Sequence, residues 1–435
     1  VISSVFTTNV LSDHKIVKVK IAKSVDKGPG MWIFNDTLLK DNAYYRSIKT
    51  IIQESSSDIE SFPGDFKFCW DIWRQKVLSF TKEYSKAKAR SLKREINENK
   101  IELEKLESLH PQKLNIGILD KIDQLKKKIN DFEKNKIRGA LLRSKIPNFE
   151  ENEPNIHFLN ALEKRKGEEN TIYNIMDNES ETMKYGTKDI NETIFNYYSK
   201  LYKKEKEDEF EQNEFLKCLE LKLSAEDKEF LEKDFSESEL YEALCSLNDG
   251  KSPGADGLTK SFYLHFWDDI KSFYMECIKE IKTTKDLTEM QKRGAIKILF
   301  KDGERFLIKN YRPITLLNTD LKIITKALAK RLSTILPKLI HRNQTCVPGR
   351  NIENNIHLVQ NLIDHINANN EELAIIFVDQ EKAFDRMSHS FIFKTLEKFG
   401  FGKNFIDWVK IICNGTKSFV KVNGYETNEF NIERG

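Results

Sequence analysis

The chain has 435 residues, of which 32% are charged, yet its formal net charge is only +3. That length exceeds what one hydrophobic core serves, so two or three structural units are expected. The near-neutral balance excludes a uniformly basic nucleic-acid binder, and any affinity for phosphates has to come from local clusters of Lys and Arg.

Six cysteines, Cys69, Cys218, Cys245, Cys277, Cys346 and Cys413, lie far apart with no C-x-x-C pair and no His at zinc spacing. This excludes a zinc ribbon and points to reduced thiols in an intracellular protein, cytoplasmic or nuclear. No apolar run reaches the roughly 18 residues of a membrane span, so no membrane partner is expected. The chain opens on Val1 and closes on Gly435 without a terminating element, which reads as an internal fragment cut at both ends.

In chain order, Lys15-Ile-Val-Lys-Val-Lys-Ile21 alternates apolar and polar residues, the pattern of a half-buried strand. Ser12-Asp13-His14 precedes it; such a pair suits a surface turn, and it can also orient a water for phosphodiester cleavage. Gly28-Pro29-Gly30 breaks the chain, and Trp32, Phe34, Leu38 and Leu39 open a mostly helical region punctuated by Ser55-Ser56-Ser57 and Pro63-Gly64. Two seams of apolar residues follow at alternating steps of four and three: Leu92, Ile96, Leu103 and Leu106, with Asn99 as a polar break, then Ile118, Ile122, Leu125, Ile129 and Phe132. With His110-Pro111 between them, they predict a long antiparallel helical hairpin over about residues 80–145. Its many lysines, mixed with Glu and Asp, read as a solvated face. Further on, Phe195, Tyr198 and Tyr202 recur at helical spacing as a core-facing stripe, and the charged run from Lys203 to Glu211 reads as an exposed linker.

The texture changes at Phe235, where Ser236-Glu-Ser-Glu239 looks like a helix N-cap with acids in the first turn. Lys251-Ser-Pro-Gly-Ala-Asp-Gly257 then forbids regular structure and exposes backbone amides, which suits either a plain loop or close approach to a phosphate backbone. Arg293 to Lys301 reads as a strand entering a tight Asp302-Gly303 turn, with Asn310 to Leu317 returning. That hairpin sets Lys301 and Arg312 near one another as a possible triphosphate clamp. Last, the short greasy run Leu373-Ala-Ile-Ile-Phe-Val-Asp379 suits a fully buried strand. It delivers the carboxylate of Asp379 to a strand end, five residues before Phe384. A strand-ending Asp fits a helix cap as well as a metal ligand, and the run by itself leaves both open.

Taken in order, Lys251-Ser-Pro-Gly-Ala-Asp-Gly257, Tyr311-Arg-Pro-Ile-Thr-Leu-Leu-Asn318, Lys322-Ile-Ile-Thr-Lys-Ala-Leu-Ala-Lys-Arg-Leu332, Gln344-Thr-Cys-Val-Pro-Gly-Arg350 and Phe377-Val-Asp-Gln-Glu-Lys-Ala-Phe-Asp385 resemble the reverse transcriptase of LINE-type non-LTR retrotransposons. Ser12-Asp13-His14 is similar to the closing motif of the apurinic-type endonuclease that precedes that polymerase, and Gly28 to Leu39 is similar to the connector between them.

The resemblance implies an α/β chain: residues 1–22 as an endonuclease remnant carrying Asp13 and His14, residues 23–234 as a helical connector and extension, and residues 235–435 as the fingers and partial palm of a right-hand polymerase. It implies Asp379 as a catalytic metal ligand and Phe384 as the gate against a sugar 2′-hydroxyl. It further implies Lys301 and Arg312 as deoxynucleoside triphosphate ligands, with Lys251, Gly254, Gly257 and Arg350 on the template. Magnesium, an RNA template, a DNA primer or target and deoxynucleotides are the implied cofactor and partners, in an intracellular ribonucleoprotein of nucleus and cytoplasm. Asp385 is set aside as a second ligand in favour of a capping role. The family's double-Asp turn is absent, since Asp268-Asp269 lies before the fingers strands, so neither polymerisation nor cleavage is expected of this stretch by itself. An inert nucleic-acid-binding relic and a group II intron-type reverse transcriptase are the alternatives; Ser12-Asp13-His14 and the Trp32 connector disfavour the latter.

Overall fold

The computed structural model describes residues 3–8, 15–20, 25–61, 64–109, 116–144, 156–177, 179–345 and 347–435; Asp13 and His14 lie outside them. The chain divides into two compact units, residues 1–74 with 173–435, and residues 75–172.

The first unit opens with an antiparallel ribbon, β1 (Ser3–Thr8) and β2 (Lys15–Lys20), the second strand arising from the alternating run. A connector leads to a 3-10 turn at Asp36–Lys40, capped by the Asn35 side chain. Next, α1 (Asn42–Ser61) continues through the serine triplet expected to interrupt it; serine costs a helix only a few tenths of a kcal/mol relative to alanine, too little to break it. Helix α2 (Phe66–Glu107) starts in this unit and continues as the first helix of the other.

In the second unit α2 is followed by α3 (Ile116–Ser144) and α4 (Ile156–Glu169). The hairpin partners are antiparallel, with ion pairs Lys100–Glu133, Lys121–Glu102 and Lys126–Glu107 crossing between them. Ile96, Ile122, Leu125 and Ala140 are buried, whereas Leu92 is exposed, so the apolar seam is narrower than its spacing suggested.

The first unit resumes with the hairpin β3 (Asn174–Asp177) and β4 (Thr182–Tyr185). Six helices follow: α5 (Thr187–Leu201), α6 (Glu209–Leu216), α7 (Ala225–Glu232), α8 (Glu237–Cys245), α9 (Lys260–His265) and α10 (Trp267–Thr284). Beyond them come β5 (Arg293–Phe300), β6 (Tyr311–Leu316), α11 (Thr319–Leu339), α12 (Glu353–Asn369), α13 (His389–Lys398), α14 (Lys403–Cys413), β7 (Lys417–Val422), β8 (Tyr425–Glu426) and β9 (Phe430–Asn431). Asp208, Ser224, Ser236, Thr259 and Ser388 begin five of these helices by accepting first-turn N–H groups, which satisfies donors that the helix itself leaves free. The expected linker at 203–211 is therefore a strap that ends in a helix start. Glu205 pairs with Arg434, and Glu207 accepts from Ser388 and Ser390.

Strands β5 to β9 form one sheet, in the order β6-β5-β7-β8 with β9 also on β7. β5 runs antiparallel to β6 and parallel to β7. The expected buried strand at 373–379 does not form. Residues 371–380 have no regular structure, and Phe377 and Val378 are 84% and 85% exposed. The sheet offers no long edge for it: β5 and β7 are bonded on both sides, and beyond β7 lie only the two-residue strands β8 and β9. The outer strand β6 contains Pro313, which has no N–H to offer.

Helices α8 and α11 are locked by Arg331, 5% exposed, whose guanidinium meets both oxygens of Glu239 at 2.6 Å and three backbone carbonyls at Leu231, Lys233 and Asp234. Its face also lies 4.9 Å from the Phe235 ring. Replacing Arg331 with alanine strands a carboxylate and three carbonyls, with an expected loss of about 3–5 kcal/mol. Urea unfolding measures it, and Arg331→Lys should recover only part, because an ammonium lacks the planar fork.

Candidate nucleotide and nucleic-acid site

The β5–β6 ribbon has two chemically different faces. Its register pairs Leu299 with Arg312 and Phe300 with Tyr311, and the Lys301 N–H reaches the Asn310 carbonyl at 3.0 Å. Side chains alternate along each strand, so Lys297, Lys301 and Arg312 share one face, interleaved with Leu299 and Ile314. All five are exposed. Phe300 and Tyr311 share the other face, ring edge to ring face at 5.5 Å. The connection is longer than the tight turn expected: it passes through Gly303 at φ +79° and a 3-10 turn at Ile308–Asn310. Lys301 and Arg312 are thus brought to one solvent-facing surface.

The loop Lys251–Gly257 is packed, not free. A Cβ on Gly254 would lie 2.3 Å from the Asn318 backbone nitrogen, and one on Gly257, at φ +76°, would lie 2.4 Å from the Trp32 carbonyl oxygen. Both positions require glycine because backbone passes against them. The Gly257 carbonyl accepts the Phe34 N–H, so the connector straps the loop down. Lys251 and Ser252 remain exposed, and the Lys322 ammonium donates to the Ser252 carbonyl.

Beneath the loop lies a buried charge knot that the sequence reading did not identify. The Arg74 side chain is fully buried, 2.5 Å from Asp71, 2.8 Å from Asp320 and 3.4 Å from Asp256. Asp320 also accepts from Trp70 Nε1 at 3.0 Å and Gln291 Nε2 at 2.9 Å. One guanidinium thereby joins α2, the loop, the approach to β5 and the first turn of α11. A signal existed: Trp70-Asp71-Ile72-Trp73-Arg74 places two charges within an apolar helical run, where a charge is retained only with partners. Burial pushes the Asp256 carboxyl up to about 7, with Arg74 opposing and Asp320 adding to the rise.

Arg350 is engaged in the fold. Its guanidinium donates to the carbonyls of Pro337, Ile340, His341 and Gln344, closing the C-terminal end of α11 where carbonyls lack helical partners. Asp379 and Phe384 lie on exposed backbone, Phe384 at 90% exposure. Asp385 is not a helix cap: its carboxylate accepts the Tyr202 hydroxyl at 2.7 Å, and Ser388 caps α13 instead. Tyr198 and Tyr202 are buried as the stripe predicted. Among the described residues no group of three or more His, Cys, Asp or Glu side chains is placed to hold a metal ion. These residues therefore do not of themselves fit a two-metal centre.

Residues 290–435, which hold the cationic ribbon, α11 and the Asp379–Asp385 segment, match the family of reverse transcriptases (RNA-dependent DNA polymerases). The chain carries a reverse transcriptase domain. The chain is also similar to two proteins of transposable elements. One is the transposon TX1 uncharacterized 149 kDa protein of Xenopus laevis, 30% identical over 443 residues, covering 100% of this chain and 33% of the relative. The other is the retrovirus-related Pol polyprotein from type-2 retrotransposable element R2DM of Drosophila melanogaster, 27% identical over 127 residues, 29% of this chain and 12% of that protein. The chain thus spans a third or less of the length of these relatives. Arg74 and Asp256 lie outside the reverse transcriptase match although they hold its helix α11 in place.

The knot has a pH signature. The folded chain keeps the Asp256 proton up to about 7, whereas the unfolded chain releases it near the ordinary 3.8. The stability contributed by that proton is complete below the lower value and declines as pH rises through about 7, with a slope of at most ~1.4 kcal/mol per pH unit. Urea unfolding between these limits should show this decline, and Asp256→Asn should flatten it.

Proposed function

We propose that this chain is the fingers and part of the palm of a right-hand, RNA-directed DNA polymerase, acting within a longer retrotransposon protein. In that scheme residues 1–22 belong to a preceding endonuclease, 23–234 to a helical connector and extension, and 235–435 to the polymerase. The observation that carries the reading is the common exposed face of Lys301 and Arg312 inside the stretch matched to reverse transcriptases. A cationic pair on a stiff antiparallel ribbon can draw in a triphosphate, the arginine engaging two oxygens at once.

The remaining roles follow from chemistry. Asp379 would offer hard carboxylate oxygens to magnesium, the cation such oxygens suit. Phe384 would close the space beside the sugar, where a 2′-hydroxyl pressed on a ring loses its hydrogen bonds to water. The exposed start of the loop, Lys251 and Ser252, with the Lys251 ammonium, would meet template phosphates. RNA is then held by shape and charge more than by sequence. The unpaired run at 373–378 is consistent with a palm strand whose pairing edges belong to the longer protein. An intracellular ribonucleoprotein of cytoplasm and nucleus fits the cysteines, all free among those described. No helix among the described residues is long and apolar enough to cross a membrane.

Primer extension on an RNA template, with a protein carrying this sequence at the length of its relatives, tests the reading. Asp379→Ala should lower kcat by about 10³-fold or more, and Arg312→Ala should raise the KM for deoxynucleotides by ~10–100-fold with a smaller change in kcat. Equal extension by Asp379→Ala and the parent protein would remove the catalytic assignment.

A further inference from the structure

We infer that the Tyr202 hydroxyl and the Asp385 carboxylate form a positioning pair that sets the Phe384 ring and thereby the choice between deoxyribo- and ribonucleotides. The inference rests on the proposed gate role of Phe384 and adds the residues that aim it.

A ring that is 90% exposed has almost no packing neighbours to fix it, so its direction is governed by its backbone. That backbone is tied on both sides of Phe384 to the end of α5. Before it, Lys382 adopts a left-handed φ of +55°, and its ammonium lies 4.5 Å from the centre of the Tyr197 ring while contacting that residue's hydroxyl. After it, Asp385 accepts the Tyr202 O–H at 2.7 Å. The Arg386 N–H closes the turn onto the Lys382 carbonyl at 3.1 Å. Phe384 is therefore carried on a short turn with an anchor two residues before it and another one residue after.

The Tyr202 anchor is stiff. Its ring is 5% exposed and stacks between Tyr198 at 6.3 Å and Phe430 at 6.1 Å, with interplanar angles of 21° and 12°. A phenol has two side-chain torsions, and burial beside these two rings restricts both, so the hydroxyl is held in place. Burial, and then the hydrogen bond to Asp385, push the Tyr202 hydroxyl well above its ordinary pKa. It thus remains a donor throughout the physiological range. A carboxylate held this way binds a neutral donor more tightly than an amide would, yet an amide oxygen in the same place can still accept. That difference gives a graded test.

The experiment compares kcat/KM for a deoxynucleotide and its ribonucleotide in primer extension by the relative-length protein. The variants are Tyr202→Phe, Asp385→Ala, the double variant, Asp385→Asn, and Phe384→Val as the control for the gate. We expect Tyr202→Phe and Asp385→Ala each to lower the deoxy/ribo ratio by about tenfold or more, and the double variant to fall no further, as partners in one bond behave. Asp385→Asn should stay within about threefold of the parent. If Phe384→Val lowers the ratio while Tyr202→Phe and Asp385→Ala leave it unchanged and lower only the melting temperature, the pair is merely structural and the inference is overturned. If Phe384→Val leaves the ratio unchanged, the gate assignment falls and takes the inference with it. Should Tyr202→Phe not fold, the Asp385 variants, at a half-buried turn position, carry the same comparison.

Discussion

The first unit depends on how a buried cation is compensated. Arg74 has no access to water, and removing a guanidinium from water costs several kcal/mol unless carboxylates replace the lost hydration. Asp71, Asp256 and Asp320 do so, and burial, with Asp320 adding to it against the pull of Arg74, raises the Asp256 carboxyl to about 7. With Gln291, which donates to Asp320, these side chains belong to four different segments. The electrostatic requirement of one arginine therefore fixes where the glycine loop, the cationic ribbon and α11 stand relative to one another. Aromatic packing of Trp70 against Trp73, Phe273 and Tyr274 shields the knot from solvent and strengthens every charge interaction inside it.

Around this centre, recognition surfaces are built from backbone restrained by distant contacts. Gly254 and Gly257 leave no room for side chains, so the loop touches Asn318 and Trp32 directly and gains a rigidity that its composition does not suggest. Arg350 closes the end of α11, and Arg331 closes α8 onto it. Both arginines lie in segments that resemble a polymerase, yet their measured partners are carbonyls and one glutamate. The exposed Lys301, Arg312 and Lys251 are thereby set apart from Arg331 and Arg350, whose partners lie within the fold.

Much of this was legible in the residues. The β5–β6 ribbon, the Ser236 cap, the long helical hairpin and the Tyr198–Tyr202 stripe are local patterns in which period and capping chemistry agree with the final packing. The Arg74 knot was legible only in part: Asp71 and Arg74 lie one helical turn apart in an apolar run, but nothing local connects them to Asp256 or Asp320. Residues 373–378 read as a buried strand because an apolar run reports a preference for burial, not the presence of an edge to pair with. The run at 203–208 is largely exposed as its charge density suggested, and what the residues did not announce is that Glu205 and Glu207 have specific partners far along the chain.

That unpaired run also bears on handling. Leu373 to Val378 is rich in branched and aromatic residues, lacks proline and glycine, and presents amide and carbonyl groups that no strand among the described residues engages. Such a stretch is a ready template for another copy to add itself edge to edge. Concentrated preparations of this polypeptide will therefore tend to self-associate through it, and a lysine at Ile376, 84% exposed, is the economical remedy.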